Sequence, residues 1–153
     1  MLGHVFWHFP QLFNQAMFPE KPMEESFILL IEDNPDDAFL AGRIIGKACT
    51  DKVLLARDGE EATELLQRMA LDGSYRRIRL VLLDLKLPKI SGLDLLQTIR
   101  DNDRLRSLSV AVLTSSDNEI DQERCSELGV LDYIFKPMTV QRLQRLLQPN
   151  EEP

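Results

Sequence analysis

Five apolar runs of strand length recur along this chain, and they limit its folding more than any other feature. They are Phe27-Ile28-Leu29-Leu30-Ile31, Val53 to Ala56, Leu80 to Leu83, Val110 to Leu113 and Leu131 to Phe135. Most are apolar without alternation. A strand of that kind needs cover on both faces, as in a parallel sheet sandwiched by helices. Helical patterns lie between the runs. Ala62, Leu65, Leu66 and Met69 share one face at i, i+3, i+4, i+7 spacing, and Val140, Leu143, Leu146 and Leu147 repeat the idea, with Arg142 and Arg145 turned outward. Asn34 can cap the first helix, Pro35 suits its first position, and Asp36 and Asp37 complement its dipole. Ser116 and Glu119 read as the capping box of the fourth helix. From Asp117 to Arg124 that helix carries little apolar surface, so it should be weakly anchored. The stretches 71–79 and 101–109 are expected to be loops. Five βα units with right-handed crossovers make a doubly wound α/β fold with helices on both faces.

The chain's 153 residues fit one domain with a substantial core. A net charge of −7 argues against a nucleic-acid-binding surface, which normally needs a basic face. Cys49 and Cys125 lack the spacing of a zinc or redox pair and read as small, partly buried thiols, so the cytoplasm is the expected compartment. Residues 1–24 differ in character. Phe6, Trp7, Phe9, Phe13 and Phe18 are interrupted by His4, His8, Pro10, Asn14 and Gln15, with no basic start. That pattern suits neither a signal peptide nor a membrane span of about 20 apolar residues. We expect a mobile N-terminal extension over 1–24, a domain over 25–149 and a tail over 150–153.

The chemistry sits where the strands end. Glu32 and Asp33 follow the first run, Asp84 the third, Thr114-Ser115-Ser116 the fourth and Lys136-Pro137 the fifth, with Gly92 shaping the loop after Asp84. Carboxyl ends of strands meet at one crevice of an open α/β sheet, and the first and third strands should be neighbours there. Asp84 is either structural or a nucleophile able to form an acyl-phosphate. Three crowded carboxylates call for a hard divalent cation, and Mg²⁺ is commonly held by one or two carboxylates with water and phosphate oxygens. Lys136 is either a surface lysine or a partner for Asp84 and phosphate oxygens; a cis bond to Pro137 would aim its amine inward.

In order, Leu30-Ile31-Glu32-Asp33-Asn34, Leu82-Leu83-Asp84-Leu85-Lys86-Leu87-Pro88 with Gly92, Leu113-Thr114-Ser115-Ser116 and Asp132-Tyr133-Ile134-Phe135-Lys136-Pro137 resemble the receiver domain of two-component response regulators. The resemblance covers roughly 26–148 and looks closest to stand-alone regulators of the phytochrome-associated type. It implies a flavodoxin-like sheet of strand order 2-1-3-4-5. It further implies that Asp84 accepts phosphate from a sensor histidine kinase or phosphotransfer protein. Asp33, Asp84 and the Lys86 backbone carbonyl would bind Mg²⁺, with Glu32 acting through water. Thr114 and Lys136 would hold the phosphoryl oxygens, and Tyr133 would rotate inward after Thr114. Lys86 and Ser116 would tune hydrolysis, and neither suits orienting an attacking water, so a long-lived phosphoryl group is expected.

The output would be a change in the face formed by the fourth helix, fifth strand and fifth helix, offered to a protein partner or a second copy. A dehalogenase-type phosphatase also uses a strand-end Asp, but it places a second Asp where this chain has Lys86. A flavin-binding module would need a hydroxyl- and glycine-rich loop where Glu32 and Asp33 stand. A phosphorylation-independent scaffold would not need the acid set. The expectation is a signalling switch, with no turnover activity.

Overall fold

The computed structural model describes residues 25–148, so the expectations for 1–24 and for the 150–153 tail fall outside the described residues. In chain order the elements are β1 (Phe27–Ile31), α1 (Pro35–Ala48), β2 (Lys52–Ala56), α2 (Gly59–Asp72), a 3₁₀ turn (Ser74–Arg77) and β3 (Ile78–Leu83). They continue with α3 (Gly92–Asp101), β4 (Val110–Thr114), α4 (Glu119–Glu127), β5 (Asp132–Phe135) and α5 (Val140–Leu147). All strand pairings are parallel, in the order β2-β1-β3-β4-β5. The expected doubly wound topology is therefore the observed one, with β5 at an edge.

The non-alternating strands are explained by a core on each face. Leu29, Ile31, Val81, Leu83 and Val112 pack with Ala62, Leu66, Leu95, Leu96, Ile99 and Cys125. Their chain neighbours Ile28, Leu30, Leu80, Leu82, Ala111 and Leu113 point the other way, against Ala41, Ile45 and Leu143. Complete burial of one such side chain contributes about 1.5–3 kcal/mol. The central strands therefore hold the fold most firmly.

Helix α4 sits at the other extreme, since Cys125 is its one buried residue and Ile120 is 75% exposed. Backbone amides of α4 are expected to exchange with solvent faster than those of α1, α2 and α3. Hydrogen exchange read by mass spectrometry checks this; equal protection across the helices would contradict a weakly anchored α4.

Three local expectations need correction. Helix α4 is capped by Asn118, whose Oδ1 accepts from the amides of Ile120 (2.9 Å) and Asp121 (3.2 Å). Ser116 lies upstream, and its Oγ accepts from the Asn118 amide at 3.4 Å, so an Asx cap displaces the Ser116–Glu119 box. The stretch 71–79 is mostly regular structure, because α2 runs to Asp72 and ends on left-handed Gly73, and the 3₁₀ turn leads straight into β3. Arg142 does not point free into solvent. It forms a two-pronged pair with Asp132 (both 2.7 Å) and donates to the Tyr133 carbonyl (3.2 Å), tying α5 to β5.

The 101–109 connection is irregular as expected, and Arg100 orders it. Its guanidinium donates to the carbonyls of Leu128 (2.6 Å), Arg106 (2.9 Å), Leu108 (2.8 Å) and Gly129 (3.3 Å).

Candidate functional site

Strand register delivers the polar residues to one level. Ile31 lies opposite both Ala56 and Leu83, and Leu83 lies opposite Val112, so the residues that follow leave the sheet together. The ladder extends one step further: the Asp84 amide donates to the Ile31 carbonyl (3.1 Å) and the Lys136 amide to that of Thr114 (2.9 Å). From neighbouring β1 and β3 the chain departs to helices on opposite faces, which opens the crevice.

Glu32 (2% exposed), Asp84 (5%) and Thr114 (0%) are the buried polar residues among those described, and all stand at this edge. Glu32, Asp33 and Asp84 each bring a carboxylate oxygen within 4.8 Å of the others. The Lys136 ammonium donates to Glu32 Oε1 (2.6 Å), Asp84 Oδ2 (2.8 Å) and Asp37 Oδ2 (2.9 Å). An ammonium has three N–H donors, and here each has a carboxylate. The Lys136–Pro137 peptide is cis. Asp84 Oδ1 accepts from the Lys86 amide at 3.0 Å, while the Lys86 side chain is exposed.

The loop after Asp84 is held by contact with backbone. The Gly92 amide donates to the Leu85 carbonyl (2.9 Å), and a Cβ on Gly92 would collide with the Asp84 carbonyl. At Gly59, a Cβ would meet that of Ile90 at 2.7 Å, so the loop also leans on the start of α2. Lys89 holds a left-handed φ of 68° within it.

On the other flank, Thr114 Oγ1 accepts from the Ser116 amide (3.3 Å), and the Tyr133 hydroxyl donates to the Ser116 carbonyl (2.9 Å). Tyr133 also stacks edge-on against Phe135, with centroids 5.6 Å apart. Thr114 and Tyr133 thus grip the same short loop leading into α4.

The structure gathers Glu32, Asp33, Asp84 and Lys136 into one cluster and places Thr114, Tyr133, Lys86 and Ser116 on its two flanks. Sequence reasoning missed Asp37, which it treated only as a dipole complement. Two adjacent first-turn acids serve a dipole equally well. Only the phase of α1 against the β5–α5 loop decides that Asp37 reaches Lys136 while Asp36 stays exposed.

Burial pushes the Glu32 carboxyl up, the Lys136 ammonium pulls it down, and neighbouring Asp84 pushes it up again, leaving it at about 7. For Lys136, burial works against the charged form, but the bonds to Asp84, Glu32 and Asp37 outweigh it and hold the amine well above its usual range. The sign for stability follows from Glu32. Between its ordinary value of 4.5 and about 7 the folded protein keeps a proton that the unfolded chain has lost. Raising pH through that window therefore costs metal-free protein on the order of 3 kcal/mol. Glu32→Gln is expected to remove this slope, measured by urea unfolding in chelator at both edges of the window. An unchanged slope would show that Glu32 is not its source.

Four carboxylates against one ammonium leave the crevice negative. An all-oxygen donor set of this charge fits a hard divalent cation.

A family model described as the response regulator receiver domain matches residues 28–148. This chain belongs to the response regulator receiver domain family. As a receiver domain it has well-covered relatives. The response regulator Rcp1 of Synechocystis sp. is 35% identical over 125 residues, covering 81% of this chain and 85% of that protein. Its Mn²⁺-bound crystal structure superposes with a TM-score of 0.64, at 35% identity over 80% of this chain and 89% of that one. The bacteriophytochrome response regulator AtBRR is 42% identical, with a TM-score of 0.67 over 81% of this chain and 91% of that one. The phosphorylated cyanobacterial phytochrome response regulator RcpA is 32% identical, with a TM-score of 0.66 over 81% and 89%. Among the described residues of this receiver domain, no helix is long and apolar enough to cross a membrane.

Proposed function

We propose that this receiver domain is a signalling switch whose Asp84 takes a phosphoryl group from a phosphohistidine. The observation that carries this reading is the Lys136 ammonium, held 2.8 Å from Asp84 Oδ2 beside the acidic cluster. A carboxylate oxygen of Asp84 attacks phosphorus as the nitrogen–phosphorus bond breaks, and the donor histidine keeps the electron pair. Asp33, Asp84 and the Lys86 carbonyl would hold Mg²⁺, with Glu32 acting through water. The ion, when bound, offsets charge on the phosphoryl oxygens. Lys136 redirects one N–H hydrogen bond from Asp84 Oδ2 to a phosphoryl oxygen, and the Thr114 hydroxyl donates to another.

The output follows from what this movement disturbs. Thr114 and Tyr133 share the Ser116 loop, so drawing Thr114 inward pulls on the contact that holds Tyr133 and leads into weakly anchored α4. A phosphoryl group brings about 1.5–2 negative charges and three acceptor oxygens, enough to bias a two-state element of this kind. The α4-β5-α5 face then changes for a downstream protein or a second copy. Arg145 remains exposed there for an acidic partner, while Arg142 is committed to Asp132. Lys86 and Ser116 leave the phosphoryl group long-lived. The working unit is 25–149, it acts in the cytoplasm, and its phosphodonor is a sensor histidine kinase or phosphotransfer protein.

Intact-protein mass spectrometry after incubation with acetyl phosphate and Mg²⁺ tests the reading. One added phosphoryl group is expected on the wild type and none on Asp84→Asn. Equal labelling of the two proteins, or labelling of neither, would overturn it.

A further inference from the structure

Lys136 shares two of its three carboxylates with the cluster that would hold a divalent cation. Glu32 and Asp84 belong to that cluster, and Asp37 does not. A cation held by Asp33 and Asp84, with Glu32 acting through water, would compete with Lys136 for Glu32 and Asp84 and repel the ammonium, because like charges at such separations cost free energy even in a partly solvated crevice. Asp37 alone stays available, on backbone held by the cap of α1. It stands in the first turn of α1, its amide donates to Asn34 Oδ1 at 3.0 Å, and its Oδ2 meets Lys136 Nζ at 2.9 Å.

Resting on the phosphoryl-accepting role of Asp84, we propose that Asp37 is a positioning residue. It anchors the Lys136 ammonium beside Asp84 when a divalent cation claims Glu32 and Asp84, so that an N–H is in place for the incoming phosphoryl oxygen. Asp37 touches neither the cation nor the phosphoryl group, and acts only through Lys136. The distinction matters because a negative charge near a cation site could also act by simple attraction. Attraction would change how much metal is needed; anchoring would change the rate once the site is full.

Asp37→Asn keeps the shape of the side chain and removes its charge. Mn²⁺ calorimetry on the full chain is expected to show a dissociation constant within about threefold of wild type, since Asp37 is not a ligand. Phosphoryl incorporation from acetyl phosphate at saturating Mg²⁺, followed by intact mass, is expected to fall on the order of tenfold, as misplacement of a reacting group demands. In a Lys136→Met background, Asp37→Asn should slow the remaining reaction no further, because the group it positions is gone. A wild-type rate at saturating Mg²⁺ would overturn the proposal, as would an equal loss in the presence and absence of Lys136. Failure of the wild type to take any phosphoryl group would instead overturn the role of Asp84, and this inference with it.

Discussion

Lys136→Met is expected to lower the stability of the metal-free protein by about 3–5 kcal/mol above neutral pH, the usual cost of stripping one partner from a buried ion pair. The Glu32 and Asp84 side chains are only 1% and 7% exposed, and the lost ammonium is the cation bonded to both. Methionine fills similar volume, so the loss is electrostatic and the core is spared. Two further outcomes separate this from general damage. Lowering the pH should shrink the deficit, because Glu32 then takes a proton. Millimolar Mg²⁺ should restore most of it, because the cation replaces the missing charge and binds more tightly without the ammonium to repel it. Urea unfolding with chelator and with Mg²⁺ measures both. A deficit unchanged by Mg²⁺ would show that the three acids do not share a cation. For contrast, the surface pair Arg142–Asp132, 36% and 28% exposed, is expected to contribute no more than about 1 kcal/mol.

Gly92→Ala is expected to destabilise by on the order of 3 kcal/mol, against the direction of helix propensity. At the first position of α3, alanine would be favoured over glycine by up to about 1 kcal/mol if nothing stood nearby. Here the added Cβ would lie 2.5 Å from Leu85 Cα and overlap the Asp84 carbonyl, and backbone cannot swing aside as a side-chain tip can. The strain falls directly on the backbone of Asp84, the proposed phosphoryl acceptor, so on that reading phosphoryl incorporation should fall with stability. Gly42 and Gly46 of α1 are internal controls. A Cβ at either meets nothing within 4 Å, so Ala there is expected to stabilise by about 0.5–1 kcal/mol. Thermal and urea unfolding of the three variants give the comparison; stabilisation at Gly92 would contradict the close approach.

The fold was legible because its signal is local and repeated. Double-sided burial leaves runs such as Leu80 to Leu83 apolar throughout, and chain order with right-handed crossovers then leaves few topologies. The main acids were legible because each stands directly after such a run: Glu32, Asp33 and Asp84 met where the strand ends predicted. Errors collected where the choice depends on packing across the chain. Asn118 and Ser116 are both good caps, and only the course of the loop beneath Tyr133 decided between them. Arg142 lies on the outer side of α5 by periodicity, yet Asp132 on β5 is within its reach. The anchoring role of Arg100 left no mark in the sequence, because backbone carbonyls accept its hydrogen bonds.

Residue order alone therefore determined which segments become strands and which polar groups ride on their ends, since burial periodicity and strand-end position are properties of a few consecutive residues. Tertiary structure decided which charges meet. Lys136 finds Asp37 across 99 positions of chain, and no local pattern encodes a distance of 2.9 Å between a strand end and a helix start. Ion pairs depend on angle and depth set by the whole packed sheet.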